Sequence, residues 1–191
     1  MTDAKKENMV DHDKTSQHHS DFLEIQGGGS PSAHVVLFQP EIPQNTGNIG
    51  RSCVAVNAKL WIVEPASFQI TDKRVRRAGL DYWPHLDLEL VPDWPHLTKR
   101  LTSNRFFFFS KFAKRSLWDV EFETEDVFVF GRESSGLPES ILDPADPRSV
   151  RLPMTHHVRS LNLATTVGVT LYEHQRQIFQ KLQKPNRPPS V

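Results

Sequence analysis

A single cysteine, Cys53, in a chain of 191 residues excludes an internal disulfide and points to a reducing cytoplasm. No apolar run approaches the roughly 18–20 residues of a membrane span, and no basic stretch followed by an apolar one marks a secretory signal near Met1. Charge of one sign is missing too. Lys and Arg number 23, Asp and Glu also 23, and the formal net charge is 0. Without an overall positive field, any nucleic-acid binding has to come from a local basic patch, enlarged where two subunits pair. Three signatures of nucleotide and acyl chemistry are absent. There is no Gly-x-Gly-x-x-Gly fingerprint, no Walker Lys-Ser/Thr after a glycine-rich loop, and no Gly-x-Ser-x-Gly elbow. His18 and His19 have no further ligands at metal-site spacing and read as solvated polar residues, so no metal site is expected.

What is present fits one soluble α/β domain with tails: 37% hydrophobic and 24% charged residues. Residues 1–33 are polar and end in Gly27-Gly28-Gly29-Ser30-Pro31, which predicts a disordered tail. Residues 184–191 carry three prolines and are expected to be loose. Between them, residues 34–183 alternate apolar strands with helical patterns. Strands are expected at His34–Phe38, Leu60–Val63, Arg105–Ser110, Val127–Phe130 and Val150–Leu152, with an edge strand at Leu86–Leu90. Helices are expected at Gly47–Val56, Thr71–Ala78 and Asp93–Leu101, and over Leu163–Leu182, where Val167, Leu171, His174 and Ile178 share a stripe. That alternation implies a mostly parallel sheet with helices on both faces.

Ligands of such sheets sit beyond the carboxyl ends of the strands, so the segments after Phe38, Phe109, Phe130 and Leu152 are the places to search. Three of the four are distinctive. Pro40-Glu41-Ile42-Pro43-Gln44-Asn45-Thr46-Gly47-Asn48-Ile49-Gly50-Arg51 places Asn45, Asn48 and Arg51 near the start of a helix, where an anion is welcome. Gly131 to Pro138 sets a carboxylate and two hydroxyls between glycines, which suits a polar ligand as well as a plain turn. Leu152 to Leu163 runs from a strand to the long helix, with Ser160 or Asn162 as its cap. Lys73, Arg74, Arg76 and Arg77 put four cations within five residues, a solvated face or a phosphate-binding patch. Cys53, within an expected helix, reads as a small buried residue.

In this order, the three segments resemble the signature motifs of the SPOUT RNA methyltransferases, and most nearly the TrmL (YibK-like) family of tRNA wobble-nucleotide 2′-O-methyltransferases. Asp72 to Tyr82, and Tyr172-Glu173 with Arg176-Gln177, extend the likeness over about His34 to Leu182. Arg132, Ser135 and Ala164-Thr165-Thr166 depart from the usual motif letters. The resemblance implies a C-terminal trefoil knot, a homodimer packed through the last helix, S-adenosylmethionine as methyl donor and tRNA as substrate. It implies a donor pocket from Phe109, Gly131, Leu152, Ser160 and Leu161, and a catalytic cluster of Arg51, Asn45, Glu133, Ser160 and Asn162. Gly131 would let the backbone approach the ligand, and Arg51 would hold an RNA phosphate and either help deprotonate the 2′-hydroxyl or stabilise the forming alkoxide. Ribosomal RNA or another tRNA position, or a non-catalytic RNA-binding role on the same fold, are the alternatives.

Overall fold

The computed structural model describes residues 29–69 and 81–183. The expected tail over residues 1–28, the helix at 71–78 with Lys73, Arg74, Arg76 and Arg77, and residues 184–191 lie outside the described residues. Residues just before His34 are tied to the domain. Ser32 donates its backbone N–H to the Asn57 carbonyl (2.8 Å) and its hydroxyl to the Val56 carbonyl (2.7 Å), tying the approach to the first strand.

The strands are β1 (Ala33–Phe38), β2 (Lys59–Val63), β3 (Leu88–Val91), β4 (Phe106–Phe109), β5 (Arg115–Ser116), β6 (Asp126–Phe130) and β7 (Ser149–Arg151). They form one seven-stranded sheet in the order β3-β2-β1-β6-β4-β7-β5, and every pairing is parallel. The edge strand expected at Leu86–Leu90 is β3. The opposite edge, β5, was not expected, because two residues are too few to show a period. From β4 the chain runs out to β5, returns to the centre as β6, and goes out again as β7, between β4 and β5.

Among the described residues, three α-helices cover the faces: α1 (Pro43–Ala55), α2 (Trp94–Arg100) and α3 (Leu163–Gln183). On one face, Ile49 and Cys53 of α1 and Val167 and Leu171 of α3 pack on Val35, Leu37, Phe107, Phe109, Phe128 and Phe130. On the other, Leu97 of α2 packs with Val36, Phe38, Phe108, Val127 and Val129. Both faces of the sheet are thus buried, which explains the unbroken apolar runs of β1 and β4. Phe128 lies at the centre, with its ring 5.1 Å from that of Phe122 and 5.4 Å from that of His174. Burying one such side chain is worth about 1.5–3 kcal/mol. In α3, Thr170 takes a place in the buried set and Ile178 is only half-buried. Thr170 is accommodated because its hydroxyl donates back to the Thr166 carbonyl (2.9 Å).

Candidate active site

All strands point the same way, so the loops leaving β1, β4, β6 and β7 meet along one edge of the sheet. The loop after β1 turns at Gln39, a non-glycine residue at φ 50°, and α1 begins at Pro43. This is four residues before the expected start. Pro43 at the first turn brings the φ a helix requires and has no N–H to satisfy. The N-cap, Ile42, offers no side-chain acceptor, and the first turn contains no acidic residue. Glu133, in the loop after β6, fills that gap from outside. Its carboxylate accepts from the backbone N–H of Glu41 (2.8 Å) and Ile42 (3.3 Å) and from the Asn45 side chain (3.0 Å). Glu41 returns the contact, accepting from the backbone N–H and the hydroxyl of Ser134, both at 2.8 Å. Those two bonds, the backbone one first, hold the Glu41 carboxyl below the usual glutamate range. The Arg132 guanidinium also bonds the Gln39 side chain.

The clasp extends to the third segment. Asn162 donates to the Asn45 side-chain oxygen (3.0 Å), while its own oxygen caps α3 by accepting from the backbone N–H of Ala164 (2.8 Å) and Thr165 (3.3 Å). Of the two expected cap residues, the cap is Asn162, not Ser160. Gly131 turns out to be required by its own chain. A Cβ there would lie 2.1 Å from the Gly136 carbonyl carbon and 2.2 Å from the Leu137 nitrogen. The close backbone approach that the structure shows at Gly131 is to the returning strand of the same loop. Gly136, at φ +73°, closes that turn.

Between these loops lies a cavity of about 820 Å³, within the roughly 300–1,000 Å³ of ligand sites. All five residues expected to bind the donor, Phe109, Gly131, Leu152, Ser160 and Leu161, line it. So do Asn45, Glu133, Ser160 and Asn162 of the expected catalytic cluster. Arg51 is not on this wall. It lies on the exposed side of α1, with its Nη2 4.0 Å from an Asp81 carboxylate oxygen and its guanidinium 5.0 Å from the centre of the Tyr82 ring. Cys53 is buried, and desolvation pushes its thiol far up, away from nucleophilic use. Among the described residues, no group of three or more His, Cys, Asp or Glu side chains could hold a metal ion, and no helix is long and apolar enough to cross a membrane.

The apolar wall includes Phe109 stacked on Phe130 (centroids 4.6 Å apart), with Val150 and Leu152 beside them. This suits a planar base, and the hydroxyls and backbone groups of the surrounding loops suit a ribose. Phe130 and Val150 went unnoticed in the sequence because they read as strand core, which they also are. Ser110, Lys111 and Phe112 line the same cavity. They follow one of the four strand ends singled out by the sheet rule, but carry no glycine or carboxylate to mark them.

Residues 32–172 match the SpoU rRNA methylase family. The chain is 42% identical over 144 residues to a tRNA (cytidine(34)-2′-O)-methyltransferase of Methylovorus glucosotrophus, an alignment covering 75% of this chain and 94% of that protein. A Geobacillus stearothermophilus protein named provisionally for the same activity is 44% identical over 147 residues, covering 75% and 94%. Among solved structures, one that concerns 2-OH methylation of C/U34 on tRNA superposes with a TM-score of 0.74 at 42% identity, covering 78% of this chain and 97% of the other.

Proposed function

Because the chain belongs to the SpoU rRNA methylase family, we propose that it is an S-adenosylmethionine-dependent methyltransferase acting on the ribose 2′-hydroxyl of cytidine or uridine 34, the wobble nucleotide of tRNA. Support for the substrate comes from the relatives named for that position. The observation that carries the chemistry is the cavity at the carboxyl edge, walled by stacked phenylalanines on one side and clasped polar loops on the other. Its residues fit the donor: Phe109, Leu152 and Leu161 would hold an adenine, and the Ser160 hydroxyl and loop backbone would hold the polar end. The donor supplies an activated methyl on a sulfonium, for in-line displacement by the 2′-oxygen.

The chain's own contribution is alignment. Both carboxylate oxygens of Glu133 are engaged by N–H donors, so Glu133, Asn45 and Asn162 hold the three loops in register rather than move a proton. Arg51 is assigned to the substrate RNA phosphate and to stabilising the developing alkoxide. Its planar fork of N–H donors suits electrostatic stabilisation of developing negative charge. Lys73, Arg74, Arg76 and Arg77 extend the phosphate contacts, and neutralising Arg76 and Arg77 lowers RNA affinity in this reading. The doubling back of β5, β6 and β7 accords with a trefoil knot. Val169, Tyr172 and Phe179, exposed along α3 at helical spacing, form the face of a homodimer. The natural compartment is the cytoplasm, where tRNA is found.

The test is transfer of labelled methyl from S-adenosylmethionine to bulk tRNA, followed by mapping of the labelled nucleotide. Label at the 2′-hydroxyl of nucleotide 34, lost in Arg51→Ala, supports the proposal. Label in ribosomal RNA or at another tRNA position keeps the reaction and overturns the substrate. No transfer by folded protein moves the assignment to an RNA-binding role.

A further inference from the structure

The net charge of the chain is 0, yet its cations are not evenly paired. Along the amino edge of the sheet, Lys59, Arg100 and Arg105 each meet carboxylates. The segment leaving the carboxyl end of β4 is different. Ser110 to Trp118 carries Lys111, Lys114 and Arg115 and no acidic residue. Among the described residues, none of the three has a carboxylate within 4.0 Å. Arg115 is anchored instead on the Pro147 and Asp119 carbonyls. Two large aromatic side chains are interleaved with these cations and face solvent, Phe112 at 70% exposure and Trp118 at 60%. The Lys111 ammonium lies 5.0 Å from the centre of the Phe112 ring. The turn that presents Phe112 is fixed, because its N–H donates to the Ser110 hydroxyl (3.2 Å) and the Ala113 N–H to the Ser110 carbonyl (3.3 Å).

Position gives this pattern a meaning. Ser110, Lys111 and Phe112 line the cavity itself, as Ser160 and Leu161 do. An exposed aromatic ring flanked by unpaired cations is the arrangement that holds unpaired nucleotides: bases stack on the ring, and phosphates meet the ammonium groups. A nucleotide in a tRNA anticodon loop is unpaired, and its neighbours can leave their stack.

We propose that Phe112 is a stacking platform for an unpaired base of the substrate RNA at the mouth of the donor cavity, with Lys111 and Lys114 contacting the adjoining phosphates. The inference rests on the methyltransferase reading above and deepens it, by naming residues that orient the RNA and not the donor. Phe112 is a positioning residue, since it reaches the reaction through the base it holds.

The experiment is steady-state methylation of tRNA by the full chain, with KM measured separately for tRNA and for S-adenosylmethionine. Phe112→Ala is expected to raise KM for tRNA by roughly 5- to 100-fold, the range for loss of one stacked base, with kcat and KM for the donor unchanged. Phe112→Trp is expected to restore the wild-type value. Lys111→Ala with Lys114→Ala is expected to reduce the slope of log affinity against log salt by roughly 1–1.5, for two phosphates on a single strand. An unchanged KM for tRNA in Phe112→Ala would overturn the proposal. So would a rise confined to the donor, which would make the ring a lid over the adenine. If the wild-type chain transfers no methyl to tRNA, the underlying reading fails; equal binding of tRNA by wild type and Phe112→Ala would then sink the platform as well.

Discussion

The two edges of the one sheet treat polar groups in opposite ways. At the amino edge, charge is matched to charge. Asp126, with a side chain 1% exposed, accepts from Arg105 Nε (2.8 Å) and Nη2 (2.7 Å) and from the Glu123 backbone N–H (2.7 Å). Glu89 holds both Lys59 and Arg100, and the Trp61 indole N–H donates to His34 (3.1 Å). These contacts complete one another. At the carboxyl edge, carboxylates meet N–H groups of another loop and not cations, as Glu41 and Glu133 do. Lys111 and Lys114 keep their charge unpaired among the described residues. The lesson is that ion pairs finish a surface, whereas carboxylate-to-backbone clasps hold loops apart at a fixed distance and keep a cavity between them.

Substitutions that damage one edge and spare the other would test this contrast. The largest effect is expected from Gly131→Ala. Its Cβ would meet backbone, which cannot swing aside, so the loop must shift. Overpacking ordinarily costs about 1–3 kcal/mol, and this variant should lie at the upper end in urea unfolding. Donor binding by calorimetry should fall with it. A Gly131→Ala protein with wild-type stability and binding would disprove the tight return of the loop.

Asp126→Ala comes next and reports on the opposite edge. It removes the acceptor of three hydrogen bonds, two from a half-exposed Arg105 that water can resolvate. A loss of about 2 kcal/mol is expected, with KM for donor and RNA unchanged. A change in either KM would show that the two edges are coupled through the sheet.

The smallest effect concerns pH. The Glu41 carboxyl is held low by Ser134 in the folded state, so its contribution is fully present above the ordinary glutamate pKa. It is lost as pH falls through the lowered folded value. In Ser134→Ala the Glu41 pKa rises toward its ordinary value, and donor binding should weaken at a higher pH than in wild type. Superimposable pH profiles for the two proteins would remove the Ser134 hydroxyl from the account of the site and leave the backbone bond alone holding Glu41 low.

Much of the fold was legible. Six strands and three of the described helices came from apolar runs and periodicity, because a sheet buried on both faces writes itself largely as unbroken Val, Ile, Leu and Phe. The misses have local reasons. β5 is two residues long. α1 starts at Pro43 and not Gly47 because its first turn is completed by Glu133, 92 positions from Glu41, which no local pattern records. The cavity-lining residues Phe109, Gly131, Leu152, Ser160 and Leu161 were named, as expected donor contacts, through the motif resemblance together with the strand-end rule. Phe112 was not, since one phenylalanine among lysines has no motif.

The sequence by itself determined the parallel α/β class, the edge of the sheet on which to search, and three of the segments that meet there. Those depend on side-chain periodicity and strand direction, which neighbours in the chain dictate. Tertiary structure alone decided the strand order that brings β6 between β1 and β4, the Glu41–Glu133 exchange, the collision that makes Gly131 obligatory, and the placing of Phe112 at the cavity mouth. Each of these is a contact between segments distant in the chain or a matter of exposure, and both are set only when the sheet closes.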